Sequence, residues 1–141
     1  MIQRTSSAQW QGDLKGGNGS LRLGSGAFEG KYSFGTRFEN ATGTNPEELL
    51  GAANAACFSM ALANSLSQGG HIPTRVSTTA TVSLDKVADK MTVVGIALVT
   101  EAEVPGLSND EFQKVAEATR SGCIVSRALA SVPITLKATL K

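Results

Sequence analysis

Apolar positions in the first forty residues come in short alternating runs cut by glycine. Ala8-Gln9-Trp10-Gln11 and Ser20-Leu21-Arg22-Leu23 alternate with period two, which predicts two strands. Gly16-Gly17-Asn18-Gly19 lies between them and predicts a hairpin turn. Tyr32-Ser33-Phe34-Gly35-Thr36-Arg37-Phe38 also alternates and predicts a third strand ending in a loop. Such a glycine-rich meander is too thin for a core of its own. It is expected to lie on something else, such as a second subunit.

The pattern then changes period. From 49 to 74 no charged residue occurs apart from His71, and Ala, Leu, Met and Phe fall on every side of a helical wheel. That distribution predicts a helix buried all round. Its start is written in Thr44-Asn45-Pro46-Glu47-Glu48: Asn45 caps, Pro46 takes the first helical position, and Glu48 complements the N-terminal dipole. Its end is the Gly69-Gly70 pair, suited to a left-handed C-terminal cap. A membrane span is the rival reading of 49–66, but Asn54, Ser59, Asn64 and Ser65 interrupt a run that is mostly alanine. The reading adopted is a helix buried in protein.

Beyond it, 75–84 and 91–100 are rich in β-branched residues and predict a long hairpin around a polar turn at 85–90. Ser108-Asn109-Asp110-Glu111 predicts the start of a helix over 110–120, with Phe112, Val115 and Ala116 inward. Ser121-Gly122 interrupts it, Cys123 stands at the foot of a short third helix reaching about Ala130, and 133–140 predicts a closing strand. The sum is an α+β fold, antiparallel sheet wrapped around a buried central helix, with 1–141 as a single domain.

Composition removes several functions. Thirteen basic and twelve acidic residues leave a formal charge of +1, which gives no footprint for nucleic acid or an anionic membrane. The glycine run lacks the Lys-Ser/Thr ending of a phosphate loop. One histidine and two cysteines match no common zinc spacing, so no metal and no cofactor is expected. Residues 1–7 contain no apolar run, so the chain is expected to lack a secretory leader and to work in the cytoplasm. In that reducing compartment two cysteines point to thiol chemistry or inert burial, rather than a permanent structural disulfide.

Cys57, in the middle of the apolar helix, is the candidate site. Taken alone it reads as a small buried hydrophobe. Burial disfavours the ionised thiol, so a reactive Cys57 requires a cation from elsewhere in the chain. Arg37 is best placed by sequence, and Glu47 is a carboxylate able to hold it in bidentate geometry. Glu47 alone reads as a helix-dipole residue. Ten helical residues, about 15 Å of rise, keep Glu47 off Cys57 unless the helix breaks near Gly51 or a second subunit supplies the carboxylate. A cysteine hydrolase with His71 as base is a distant rival, because His71 lies past the far end of the helix. An exposed loop histidine accounts for it better.

The run from Asn45-Pro46-Glu47-Glu48-Leu49-Leu50-Gly51 through Ala55-Ala56-Cys57-Phe58-Ser59-Met60-Ala61 resembles the signature of the OsmC/Ohr family of bacterial thiol peroxidases, the OsmC branch more than the Ohr branch. Trp10-Gln11-Gly12-Asp13, Thr36-Arg37-Phe38-Glu39 and Val82-Ser83-Leu84-Asp85-Lys86 support it in order and spacing. Two positions depart from the family pattern. Ile124 follows Cys123 where proline is usual, and Asn54 replaces a histidine common in the OsmC branch.

The resemblance implies an intertwined α+β homodimer with active sites at the subunit interface. It makes Cys57 the peroxidatic cysteine, Cys123 the resolving one, Arg37 the activating cation and Glu47 its partner. The implied activity is reduction of organic hydroperoxides, and more weakly hydrogen peroxide, in stress defence, with Phe58 and Met60 giving the pocket its organic preference. The implied reductant is a dithiol such as a lipoyl-bearing protein. The competing reading is a dimeric small-molecule-binding protein of the same fold with silent thiols.

Overall fold

The computed structural model describes all residues, 1–141, and the chain falls into two compact units, Met1–Leu49 and Leu50–Lys141. The fold is α+β, as the sequence predicts, with two three-stranded sheets.

The first unit carries β1 (Ser6–Gln11), β2 (Asn18–Leu23) and β3 (Glu29–Tyr32) in an antiparallel meander of order β1-β2-β3. The turn falls earlier than predicted, over 12–17. There Gly12 adopts φ +88 and the Asp13 carboxylate accepts from the Gly16 N–H at 2.7 Å. Gly19 is therefore a strand residue opposite Trp10, and it has no side chain because the Tyr32 ring lies over it, 2.5 Å from where a Cβ would stand.

The predicted strand over 32–38 is corrected to the end of β3 followed by a short helix, α1 (Phe34–Phe38). A capping box starts α1: Ser33 Oγ accepts from the Thr36 N–H, and Thr36 Oγ1 accepts from the Ser33 N–H at 2.8 Å. Phe34 and Phe38 are four residues apart, so an alternating pattern and a helical one place them equally well on one face. In α1 their rings pack 5.1 Å apart.

The helix α2 (Pro46–Gln68) begins and ends where predicted. Asn45 Oδ1 accepts from the Glu48 N–H at 2.8 Å. At the other end the His71 N–H donates to Leu66 O and the Gly70 N–H to Ser67 O, with Gly70 at φ +89, a complete Schellman cap. The helix runs unbroken through Gly51. The prediction of all-round burial is corrected. Gly51, Asn54, Phe58, Leu62 and Leu66 form one buried stripe at three- and four-residue spacing, whereas Ala53, Ala56 and Met60 are exposed. Apolar composition on every face did not translate into burial on every face within one chain.

The second unit holds β4 (Arg75–Val87), β5 (Lys90–Glu103), α3 (Asn109–Gly122), α4 (Ile124–Ala128) and β6 (Ile134–Leu140). The two long strands run through most of the region predicted as a turn. They join through Ala88 and Asp89 alone, both at positive φ (48 and 64), the two-residue geometry that matches strand twist. The sheet order is β4-β5-β6, and β6 pairs parallel with β5, so the expectation of purely antiparallel sheet is corrected here. The intervening helices make that pairing possible, since a parallel neighbour requires a crossover.

Ile96, Leu98, Thr100 and Ala102 of β5 point to one face. Their apolar members meet Phe58, Leu62 and Leu66 of α2 and Phe112 and Ala116 of α3 in one core. A hydroxyl ladder crosses the same layer: Ser59 Oγ donates to Thr78 Oγ1 at 2.8 Å, which lies 2.9 Å from the fully buried Thr100 Oγ1. Pairing these hydroxyls with one another removes the cost of burying them. Phe58, expected to line a pocket, is a fully buried core residue, and Met60 is 74% exposed.

Candidate functional site

The four predicted residues form two pairs, one in each unit. In the first, Arg37 stands in the last turn of α1 and Glu47 in the first turn of α2. Arg37 Nε donates to both carboxylate oxygens, at 3.2 and 3.1 Å, and Nη2 donates to Oε1 at 2.6 Å. The Glu47 side chain is only 10% exposed and the arginine 41%, so the carboxylate is the anchored partner. Asn45 Nδ2 donates to Thr36 O at 3.0 Å, which ties α1 to the start of α2 and fixes the pair's geometry. The guanidinium also lies 5.3 Å from the Phe38 ring centroid. Its Nη1 edge has no protein partner and keeps two N–H donors for a ligand.

The second pair is the thiols. Both are free, Cys57 half-buried and Cys123 buried. They meet on the first turn of α4, whose N-cap is Cys123 itself. Cys57 Sγ accepts from the Val125 N–H at 3.5 Å, and Cys123 Sγ accepts from the Ser126 N–H at 3.4 Å. Consecutive amides of one turn therefore point at the two sulfurs, although 66 residues separate the cysteines in sequence. Orphan amides at a helix start favour an acceptor, and a thiolate is a better acceptor than a thiol.

Two residues of this cluster were not assigned a role from sequence. Ser126 Oγ lies 3.0 Å from Cys123 Sγ, and Asn54 Nδ2 donates to Ser126 Oγ at 3.0 Å and approaches Cys123 Sγ at 3.9 Å. A signal existed for each. Cys123-Ile124-Val125-Ser126 has the spacing of a capping box, and Asn54 is a lone amide in an alanine run.

His71 is not part of either pair. It follows the Schellman cap, half-buried rather than exposed, at the end of a helix that carries it more than about 15 Å beyond Cys57. That separation removes the Cys57–His71 hydrolase reading.

An α+β chain with two unbridged cysteines on one helical turn, and an ion-paired arginine with a free donor edge, has the composition of a thiol-chemistry protein. Comparison with known proteins makes the class specific. Residues 39–137 match the family of OsmC-like proteins. Peroxiredoxin OsmC of Escherichia coli K12 is 46% identical over 141 aligned residues, 99% of this chain and 98% of that protein, and peroxiredoxin OsmC of Shigella flexneri matches equally. The chain belongs to the OsmC-like family.

Solved structures agree on the fold. An organic hydroperoxide resistance protein OsmC from Legionella pneumophila superposes with a TM-score of 0.74 at 23% identity, covering 96% of both chains. An OsmC-like protein from Vibrio cholerae reaches 0.79 at 13% identity, covering 98% of this chain and 99% of the other.

Proposed function

We propose that this protein is a thiol peroxidase that reduces organic hydroperoxides through Cys57 and Cys123, with Arg37 and Glu47 completing the site. The observation that carries the reading is the convergence of two free cysteines on adjacent amides of α4. A sulfur oxidised at Cys57 has a second thiol at hand. Full-length identity to peroxiredoxin OsmC adds to it and supports reading 1–141 as one domain.

The chemistry follows from the groups. The Cys57 thiolate attacks one peroxide oxygen, the O–O bond breaks, and the departing alkoxide takes a proton and leaves as an alcohol. Arg37, oriented by Glu47, stabilises the thiolate and donates through its free edge to the oxygen on which charge develops. Cys57 is left as a sulfenic acid. Cys123 condenses with it, a disulfide forms and water leaves. A dithiol, such as a lipoyl group on a carrier protein, restores both thiols by exchange.

The active form is a homodimer in this account, with the exposed Ala53, Ala56 and Met60 stripe of α2 covered by a second copy. The helix α2 is long and apolar enough to cross a membrane by composition. Its buried stripe packs on the protein's own core, which favours a core helix; in this reading the protein works in the cytoplasm without nucleic acid, membrane or cofactor.

Steady-state turnover with cumene hydroperoxide, tert-butyl hydroperoxide and hydrogen peroxide, each against several dithiols, tests the reading. Turnover is expected with organic hydroperoxides above hydrogen peroxide. No turnover with any pair contradicts it and leaves the silent-thiol binding protein.

A further inference from the structure

Asn54 is fully buried, and its Oδ1 is the one buried side-chain polar atom with no hydrogen-bond partner. A buried carbonyl without a partner forfeits the hydrogen bonds it would make in water. Its other end is well used: Nδ2 donates to Ser126 Oγ at 3.0 Å and reaches Cys123 Sγ at 3.9 Å. Asn54 lies three residues before Cys57 on α2, the spacing that puts two side chains on neighbouring positions of one helix face, and helical side chains lean toward the N-terminus. One amide therefore contacts the Cys123 side directly and neighbours Cys57 along the helix. Its donor end is committed to the side of Cys123, and its acceptor end is unspent.

We propose that Asn54, through Ser126, is a positioning residue for disulfide formation: it orients the Cys57 sulfenic acid and the Cys123 sulfur for condensation. The proposal rests on the peroxidase reading above. In the resting state the Cys123 thiol donates to Ser126 Oγ at 3.0 Å. When Cys123 loses its proton, the Ser126 hydroxyl turns to donate to the sulfur. The Asn54 Nδ2–H, bound to a lone pair of that oxygen, holds it in place for the turn.

The Cys123 sulfur then accepts from the Ser126 N–H, the Ser126 hydroxyl and, more weakly, Asn54. On the other side, oxidation gives Cys57 an S–O–H donor that the thiol did not offer, and Asn54 Oδ1 is the acceptor left open for it. The step then balances. Cys123 sulfur attacks Cys57 sulfur, the S–O bond breaks, hydroxide leaves and takes up the proton released by Cys123, and the products are the Cys57–Cys123 disulfide and water.

Single-turnover oxidation of the reduced full-length protein by cumene hydroperoxide separates the two steps. Consumption of peroxide reports attack by Cys57, and the loss of dimedone-trappable sulfenic acid reports condensation. Asn54→Leu and Ser126→Ala are compared with the wild-type protein, after circular dichroism has shown that each is folded. Ser126→Ala removes a single oxygen and serves where Asn54→Leu does not fold.

The expected result is a condensation step slowed about tenfold or more relative to the attack step in either variant, so that the dimedone adduct of Cys57 accumulates. A purely structural role would slow both steps together, and that result, or an unaltered ratio, overturns the proposal. Failure of the wild-type protein to consume peroxide is distinguishable from both and overturns the peroxidase reading on which the proposal stands.

Discussion

Replacing Glu47 with glutamine tests whether the ion pair orients Arg37 for chemistry or merely caps α2. The carboxylate accepts from Nε and Nη2 of the same guanidinium, with a shortest contact of 2.6 Å, and is only 10% exposed. A hydrogen bond to a charged group is worth about 1.5–3 kcal/mol. The arginine is 41% exposed, which screens the pair. The amide of glutamine also keeps one acceptor oxygen.

An expected loss of about 1–2 kcal/mol in orientation corresponds to a five- to thirtyfold fall in kcat/KM. The assay is steady-state reduction of cumene hydroperoxide with a saturating dithiol, run on Glu47→Gln, Arg37→Lys and the double variant. Arg37→Lys is expected to be severely impaired, because lysine cannot reproduce the planar fork. If Glu47 acts through Arg37, adding Glu47→Gln to Arg37→Lys costs little more. Full additivity of the two losses, or an unaltered Glu47→Gln enzyme, refutes the reasoning.

Cys57→Ser is expected to abolish peroxide reduction without loss of structure, since the change is nearly isosteric; circular dichroism and turnover check it together. Cys123→Ser is expected to consume about one equivalent of peroxide and then stall with a dithiol, as measured by residual peroxide. Gly70→Ala places a Cβ in open space at φ +89, so the cost is conformational alone, about 1 kcal/mol, read as a lower urea midpoint. The Glu117 carboxyl is held below its ordinary range by the Arg120 guanidinium that donates to it, at 2.8 and 2.6 Å. A depressed carboxyl contributes stability at neutral pH that is lost as pH falls through its folded value. Because the glutamate is 60% exposed, Glu117→Gln is expected to change thermal stability at neutral pH by about 0.5 kcal/mol at most, and not at all near pH 2.

Local signals carried much of the fold. The Asn45-Pro46 start and Gly69-Gly70 stop of α2, and the Ser108 cap of α3, were legible because a cap is a property of four or five adjacent residues. The segment 32–38 misled because Phe34 and Phe38 satisfy period two and period 3.6 together, and only the reciprocal Ser33–Thr36 bonds decide for the helix. The parallel placement of β6 and the one-sided burial of α2 depend on long-range packing, which no window of sequence contains.

The site divides the same way. Arg37 and Glu47 are ten residues apart; charge in an apolar context made them a candidate pair, although Glu47 alone read as a helix-dipole residue. The approach of Cys57 to the Val125 amide, and the buried Asn54–Ser126–Cys123 cluster, bring together residues about seventy positions apart. Family resemblance pointed to the two cysteines. The Asn54 amide and the Ser126 hydroxyl beside Cys123 left only faint local signals, and their meeting depends on the fold.

The most direct measurement is intact mass and peptide mapping of the reduced protein after one equivalent of cumene hydroperoxide, with thiol alkylation before digestion. The account predicts the loss of two hydrogens and a linked pair of peptides carrying Cys57 and Cys123. An unaltered mass, with both cysteines fully alkylated, contradicts it.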